Sequence, residues 1–158
     1  MGSEMCIRDR GEGARLHGGR WNRVGQPTLY LAADPVTAVA EYYQGLPKPG
    51  TLVPYRLHAQ LVADLTDGAG RPRDRRIAEA LSAEWKADAF VTRRDPASWR
   101  IADEMVAAGA QGALVPSVQN PGGQNLVLWQ WDEANAAERG AVLEVLDPDE
   151  ALRPPNLR

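Results

Sequence analysis

By type and spacing, the residues of this chain best suited to chemistry are Arg20, within Gly18-Gly19-Arg20-Trp21-Asn22, and Glu41, on a helix that follows a strand through Tyr30. Two glycines let the backbone turn at little steric cost and approach a ligand closely, and the arginine adds a permanently charged, forked donor suited to a pyrophosphate. That combination suits a dinucleotide. Five residues alone fit a tight turn with a solvated arginine better, and a helix carboxylate is usually just solvated, so the order of the parts is what raises the signal.

The elements that would position these groups follow from local chemistry. Gly25 and Pro27 punctuate a turn, Leu29 to Ala32 form a short apolar strand, and Asp34-Pro35 is an N-cap followed by proline at the first helical position. Across the helix that starts at Pro35, the residues Val36, Val39, Ala40 and Tyr43 recur at helical spacing and are expected to be buried. Thr37 and Glu41 share a neighbouring face, which places Glu41 at the edge of the buried stripe.

Further along, Tyr55, Leu57, Ala59 and Leu61 alternate as in one strand, and Ile77, Leu81 and Trp85 recur at helical spacing. Asp95-Pro96 repeats the cap signal and predicts a helix through Trp99, Ile101 and Met105. Gly112 to Pro116 reads as a strand ending at Ser117, Leu126 to Trp131 as another with Trp129 and Trp131 on one face, and Val142 to Leu146 as a last one. Trp85 and Trp99 are expected in the core.

The chain has 158 residues, 44% of them hydrophobic and 25% charged, which predicts one folded domain over residues 11–147 rather than a disordered chain. No stretch approaches the roughly 20 apolar residues of a membrane helix, so no membrane association is expected. A net charge of -3 disfavours a general nucleic-acid surface, and the cluster Arg71, Arg73, Arg75 and Arg76 is read as a solvated loop and helix start. The single cysteine, Cys6, excludes an internal disulfide and fits a reducing cytoplasm, while His17 and His58 lack metal-ligand spacing; no metal is expected.

At this point the sequence resembles the RES domain family, named for an arginine, a glutamate and a serine. The resemblance begins at Gly11-Glu12-Gly13-Ala14-Arg15-Leu16, runs through the Gly18 to Asn22 run, Leu29-Tyr30-Leu31 and Ala38-Val39-Ala40-Glu41, and resumes at Val115-Pro116-Ser117-Val118 with Asn125 downstream. Position by position, Arg20 matches the family arginine, Tyr30 the strand tyrosine, Glu41 the glutamate and Ser117 the serine. The strands come in two groups separated by helices, which predicts an α+β architecture with two sheet portions around a central cleft where Arg20 and Glu41 would meet; the resemblance implies that this fold is ADP-ribosyltransferase-like.

It also implies a toxin of a bacterial toxin–antitoxin pair that consumes NAD as substrate, with no resident cofactor, by hydrolysis, phosphorolysis or transfer of ADP-ribose. The implied partner is a helix-turn-helix antitoxin of the Xre type. Cleaving the nicotinamide–ribose bond leaves an oxocarbenium-like centre, so Glu41 is expected to supply negative charge and Arg20 to hold the pyrophosphate. Tyr30 would lie against the cationic nicotinamide, with Trp21 a further substrate-binding residue. Ser117 would hydrogen-bond the nicotinamide amide or the ribose, unless it simply caps backbone; Asn125 would orient a substrate group or close a turn.

Residues 1–10 show no periodic pattern and read as a translated adapter, in place of a strand that members of the family usually carry before this point. Residues 148–158, with Pro148, Pro154 and Pro155, read as a poorly ordered tail. A transferase acting on protein, an inactive antitoxin-binding remnant and a homo-oligomer all stay open at this level.

Overall fold

The computed structural model describes residues 11–133 and 141–147; the expectations for residues 1–10, Cys6 among them, and for the tail 148–158 lie outside the described residues. In chain order the elements are α1 (Glu12–His17), β1 (Leu29–Ala32), α2 (Pro35–Tyr43), β2 (Tyr55–His58), β3 (Val62–Asp64), α3 (Arg75–Ser82), a π-helical turn (Ala87–Val91), α4 (Ala97–Ala107), β4 (Gly112–Pro116), β5 (Gln124–Leu128), β6 (Trp131–Glu133) and β7 (Ala141–Val145). The strands form a four-stranded sheet in the order β1-β5-β4-β3 and a three-stranded sheet in the order β2-β7-β6. Among the described residues no helix is long and apolar enough to cross a membrane.

Strand register decides which residues meet. Tyr30 pairs with Val127 and Ala32 with Asn125, while Val127 and Asn125 pair on their other side with Ala113 and Val115. Because side chains alternate along a strand, these residues share one face of the four-stranded sheet, and Leu29, Leu31, Leu126 and Leu128 share the other. On the first face Ala113, Val115 and Val127 pack with Trp21, with Ile77 and Ala80 of α3 and with Ile101 and Ala102 of α4. On the second, Leu29 and Leu128 pack with Leu57, Trp131, Ala141 and Leu143 of the smaller sheet. The expected cleft between two sheets is therefore corrected: an apolar layer joins them, and Tyr30 and Asn125 lie on the helix-facing side.

Helix α2 begins as its residues dictate, with Pro35 at the first position and the Asp34 carboxylate accepting the Thr37 amide at 2.8 Å. Its burial differs from expectation. Val36 is 70% exposed and Val39, Ala40 and Tyr43 are half-buried, whereas Thr37 is 0% exposed, so the most deeply buried side is the polar one that carries Thr37, with Glu41 half-buried on it. The cause is a set of hydrogen bonds to the loop after β4, which gives buried polar atoms the partners they need.

Three other expectations change. Residues 55–61 do not form one strand: β2 ends at His58 and the chain crosses to β3 in the other sheet, with the Gln60 and Leu61 amides held by the Gln111 side-chain oxygen at 2.7 and 3.3 Å. Residues 126–131 are split likewise. The Trp129 and Gln130 amides both donate to the Gln111 carbonyl, two residues facing one as in a β-bulge, so Trp129 enters the helix-side core and Trp131 the inter-sheet core. Finally, α4 is not capped by Asp95. Pro96 takes the cap position, and the Asp95 carboxylate is engaged at 2.8 Å by both terminal nitrogens of Arg23, a bidentate ion pair that occupies both of its oxygens where a cap would use one.

Candidate active site

The loop that carries Arg20 is fixed from several sides. Gly18 has a φ of 71°, a conformation that favours glycine, and the Gly19 carbonyl accepts the Trp99 indole N–H at 2.8 Å. The buried Asn22 amide group donates to the carbonyls of Ala14, Arg23 and Gln26 and accepts the Tyr30 hydroxyl at 2.7 Å. Arg23 adds the ion pairs to Asp95 and Asp103 and stands 5.4 Å from the centre of the Trp99 ring. Such redundancy holds one loop geometry, which is what a binding residue at its tip requires.

Arg20 is half-buried and leans on the C-terminal end of α3, where its Nη1 donates to the carbonyls of Ala80 at 3.1 Å and Ala83 at 3.0 Å. Among the described residues its Nε and Nη2 have no hydrogen-bond partner and it has no ion pair. Desolvation pushes its pKa down, and the negative charges of Glu84, then Tyr30 and Glu41 when ionised, oppose that shift. The result is a guanidinium anchored through one nitrogen with donors left over for an anion.

Tyr30 has two faces to its chemistry. Its residue is 42% exposed, while its hydroxyl is held inside by the Trp21 amide at 3.0 Å and by Asn22. Loss of solvent around that oxygen pushes its pKa up and keeps the phenol neutral, the Trp21 amide and Arg20 opposing only partly. An aromatic ring tethered by its hydroxyl and open elsewhere is suited to stack on a planar group.

Glu41 is the focus of the other half. Its Oε1 accepts the Ser117 hydroxyl at 2.7 Å and the Asn125 side-chain amide at 2.6 Å, and among the described residues its Oε2 accepts none. One carboxylate oxygen is thus pinned and the other is left for a ligand. Asn125 lies diagonally from Tyr30 on the same sheet face, a spacing of about 7–8 Å in such pairs. Arg20, Tyr30, Glu41, Ser117 and Asn125 therefore form one constellation on the helix-facing side of the sheet.

Three of the expected roles change with this geometry. Trp21 is 3% exposed and sits in the core, its carbonyl accepting the Trp129 indole; no surface of the ring is left for a substrate, and its part in the site is the amide that holds Tyr30. Ser117, 6% exposed, and Asn125 give their donors to Glu41 rather than offering them outward. Sequence reasoning missed Glu84 and Asn120. The only signal for Asn120 was its turn-forming Asn-Pro-Gly-Gly context, and Glu84 gains its position only because Arg20 docks beside it on Ala83.

The basic run is neutralised. Arg71 pairs with Asp67, Arg73 with Asp74, Arg75 with Glu79 and Arg76 with Glu104. Among the described residues no group of three His, Cys, Asp or Glu is placed to hold a metal ion.

No curated protein sequence matches the chain. Among solved structures, a chain of the crystal structure of the M. tuberculosis MbcT–MbcA toxin–antitoxin complex is 26% identical over 75% of this chain and 64% of that one, with a TM-score of 0.44; this chain thus spans less than two thirds of that one's length. The family model described as the RES domain matches residues 7–152, a span that contains the loop, the helix and both strands that build the constellation. The chain belongs to the RES domain family.

Proposed function

We propose that this protein is a cytoplasmic toxin of a toxin–antitoxin pair that cleaves the nicotinamide–ribose bond of NAD and so depletes it. Family membership supports the toxin role and an Xre-type helix-turn-helix antitoxin as partner. The observation that carries the chemistry is the Glu41 carboxylate, with Oε1 fixed by Ser117 and Asn125 and Oε2 free of protein donors among the described residues. NAD is the substrate, not a resident cofactor.

The reaction breaks the bond between ribose C1′ and the nicotinamide nitrogen, and the electron pair leaves with neutral nicotinamide. The ribose left behind is oxocarbenium-like. Glu41 stabilises that cation and accepts a ribose hydroxyl proton in a hydrogen bond, a preorganised charge that costs no rearrangement during reaction. Arg20 binds the pyrophosphate through the donors it does not spend on α3, and the open part of Tyr30 packs against the nicotinamide. Water attacking C1′ gives ADP-ribose and releases a proton; phosphate gives the phosphorylated form of ADP-ribose. A protein side chain at the same carbon would make the enzyme an ADP-ribosyltransferase.

Incubation with NAD tests this directly. Free nicotinamide together with ADP-ribose, or with its phosphorylated form in phosphate buffer, is the expected outcome, and a mass-shifted protein would instead establish transfer. Glu41→Gln keeps the shape and removes the charge, so turnover is expected to fall on the order of 100-fold or more with the fold intact. Undiminished turnover in that variant would remove Glu41 from the mechanism. Absence of NAD consumption by folded wild-type protein would leave an antitoxin-binding remnant.

A further inference from the structure

We propose that Asn120 and Thr37 are positioning residues that set the Glu41 carboxylate, an inference that rests on the role given to Glu41 above. Asn120 donates twice. Its backbone amide donates to the Ser117 hydroxyl oxygen at 3.0 Å, and its side-chain amide donates to the Thr37 hydroxyl oxygen at 2.9 Å. Each hydroxyl, having accepted from Asn120, passes its own single proton to a carboxylate: Ser117 to Glu41 at 2.7 Å, and Thr37 to Asp34 at 2.7 Å.

The polarity of these bonds matters because a serine hydroxyl rotates and gives its one proton wherever an acceptor lies. With the Asn120 amide on its lone pair, the Ser117 proton is directed to Glu41 Oε1. The backbone of Asn120 is in turn held by the turn it makes, the Gly123 amide donating to its carbonyl at 2.8 Å and the Ser117 amide donating to the Gly123 carbonyl at 2.9 Å. No slack remains at Gly123: a β-carbon there would come within 2.8 Å of Asn120 Nδ2 and still closer to the Thr37 hydroxyl.

Asp34, Thr37 and Glu41 lie on one side of α2, at its cap and at one and two turns beyond. The helix is therefore fastened to the loop after β4 at two points, Thr37 and Glu41, and a helix held at two points cannot roll about its axis. Thr37, fully buried, is the fastening that sets the rotation, and with it the approach of Glu41 to Ser117 and Asn125.

The test uses Thr37→Val, which keeps volume and branching and removes the hydroxyl, beside Thr37→Ser, which restores it. Thr37→Val is expected to lower kcat for NAD roughly ten- to a hundredfold with KM within about twofold, since a small misplacement of a reacting group is costly in rate while Arg20 still binds. Thr37→Ser should recover most of kcat. A second measurement needs no turnover: the NMR resonance of the Glu41 side-chain carboxyl carbon should move in Thr37→Val and stay in place in Thr37→Ser. An unmoved resonance, or an unchanged kcat despite a moved one, overturns the proposal. If wild-type protein leaves NAD intact, the substrate assignment falls, and the carboxyl resonance alone decides whether Thr37 sets Glu41. Should Thr37→Val fail to fold, Asn120→Ala read by the same two measurements replaces it, with the same outcomes.

Discussion

Tyr30 stands so close over Gly19 that a β-carbon at residue 19 would lie 2.9 Å from the ring carbon bearing the hydroxyl, and nearer still to the hydroxyl oxygen. Glycine at this position is thus a condition of the site: the hydroxyl that tethers Tyr30 to the Trp21 amide occupies the space a side chain would need.

Gly19→Ala should therefore destabilise the fold by about 1–3 kcal/mol, the usual cost of overpacking, because Asn22 Oδ1 at 2.5 Å from the same β-carbon blocks the other way out. Thermal unfolding measures this, and NAD turnover should drop with it. An unchanged melting temperature together with full turnover would show that Tyr30 yields freely and is not fixed by this contact.

The proposed role of Arg20 makes two demands on one side chain, since Nη1 is committed to the Ala80 and Ala83 carbonyls and the rest of the fork would have to meet the pyrophosphate. A lysine ammonium cannot serve both places. KM for NAD is expected to rise roughly 10- to 100-fold in Arg20→Ala and by a smaller factor in Arg20→Lys, which keeps the charge. Equal effects of the two substitutions in steady-state kinetics would count against recognition by the fork.

Acid sensitivity follows from carboxylates that the fold holds below their ordinary value of 3.8. The Thr37 amide lowers Asp34, the Ile77 amide lowers Asp74 and the Arg23 guanidinium lowers Asp95. A carboxyl depressed on folding stabilises the native state fully above its unfolded value, and the contribution is lost as pH falls through the folded value. The melting temperature should hold above about pH 5 and decline below about pH 4. Asp95→Asn, which removes the charge on Arg23's partner, should make that decline shallower; a melting temperature constant to about pH 2 would contradict the assignment.

Much of the local structure was legible in the sequence because it depends on short-range chemistry. Asp34-Pro35 starts α2 where the cap signal places it, and β1 and β4 have the expected bounds. Legibility fails where a distant residue intervenes. Gln111, with its side chain on the 60–61 crossing and its carbonyl on the 129–130 bulge, breaks two runs of alternating residues into strands of different sheets. Arg23 draws Asp95 away from a cap position that its own neighbours would have assigned to it.

The sequence by itself determined which residue types were available, Arg20, Tyr30, Glu41, Ser117 and Asn125, and placed Thr37 and Glu41 on one helix face, since both follow from identity and a 3.6-residue period. Only the tertiary structure decided that this face turns inward, that the site lies on the helix side of the larger sheet, and that Ser117 and Asn125 grip Glu41 from 76 and 84 residues away. The physical reason is one of range. Caps and periods are settled within a turn of chain, whereas a buried hydroxyl or carboxylate takes whichever partner the folded sheet brings to it, and that partner is chosen by strand register.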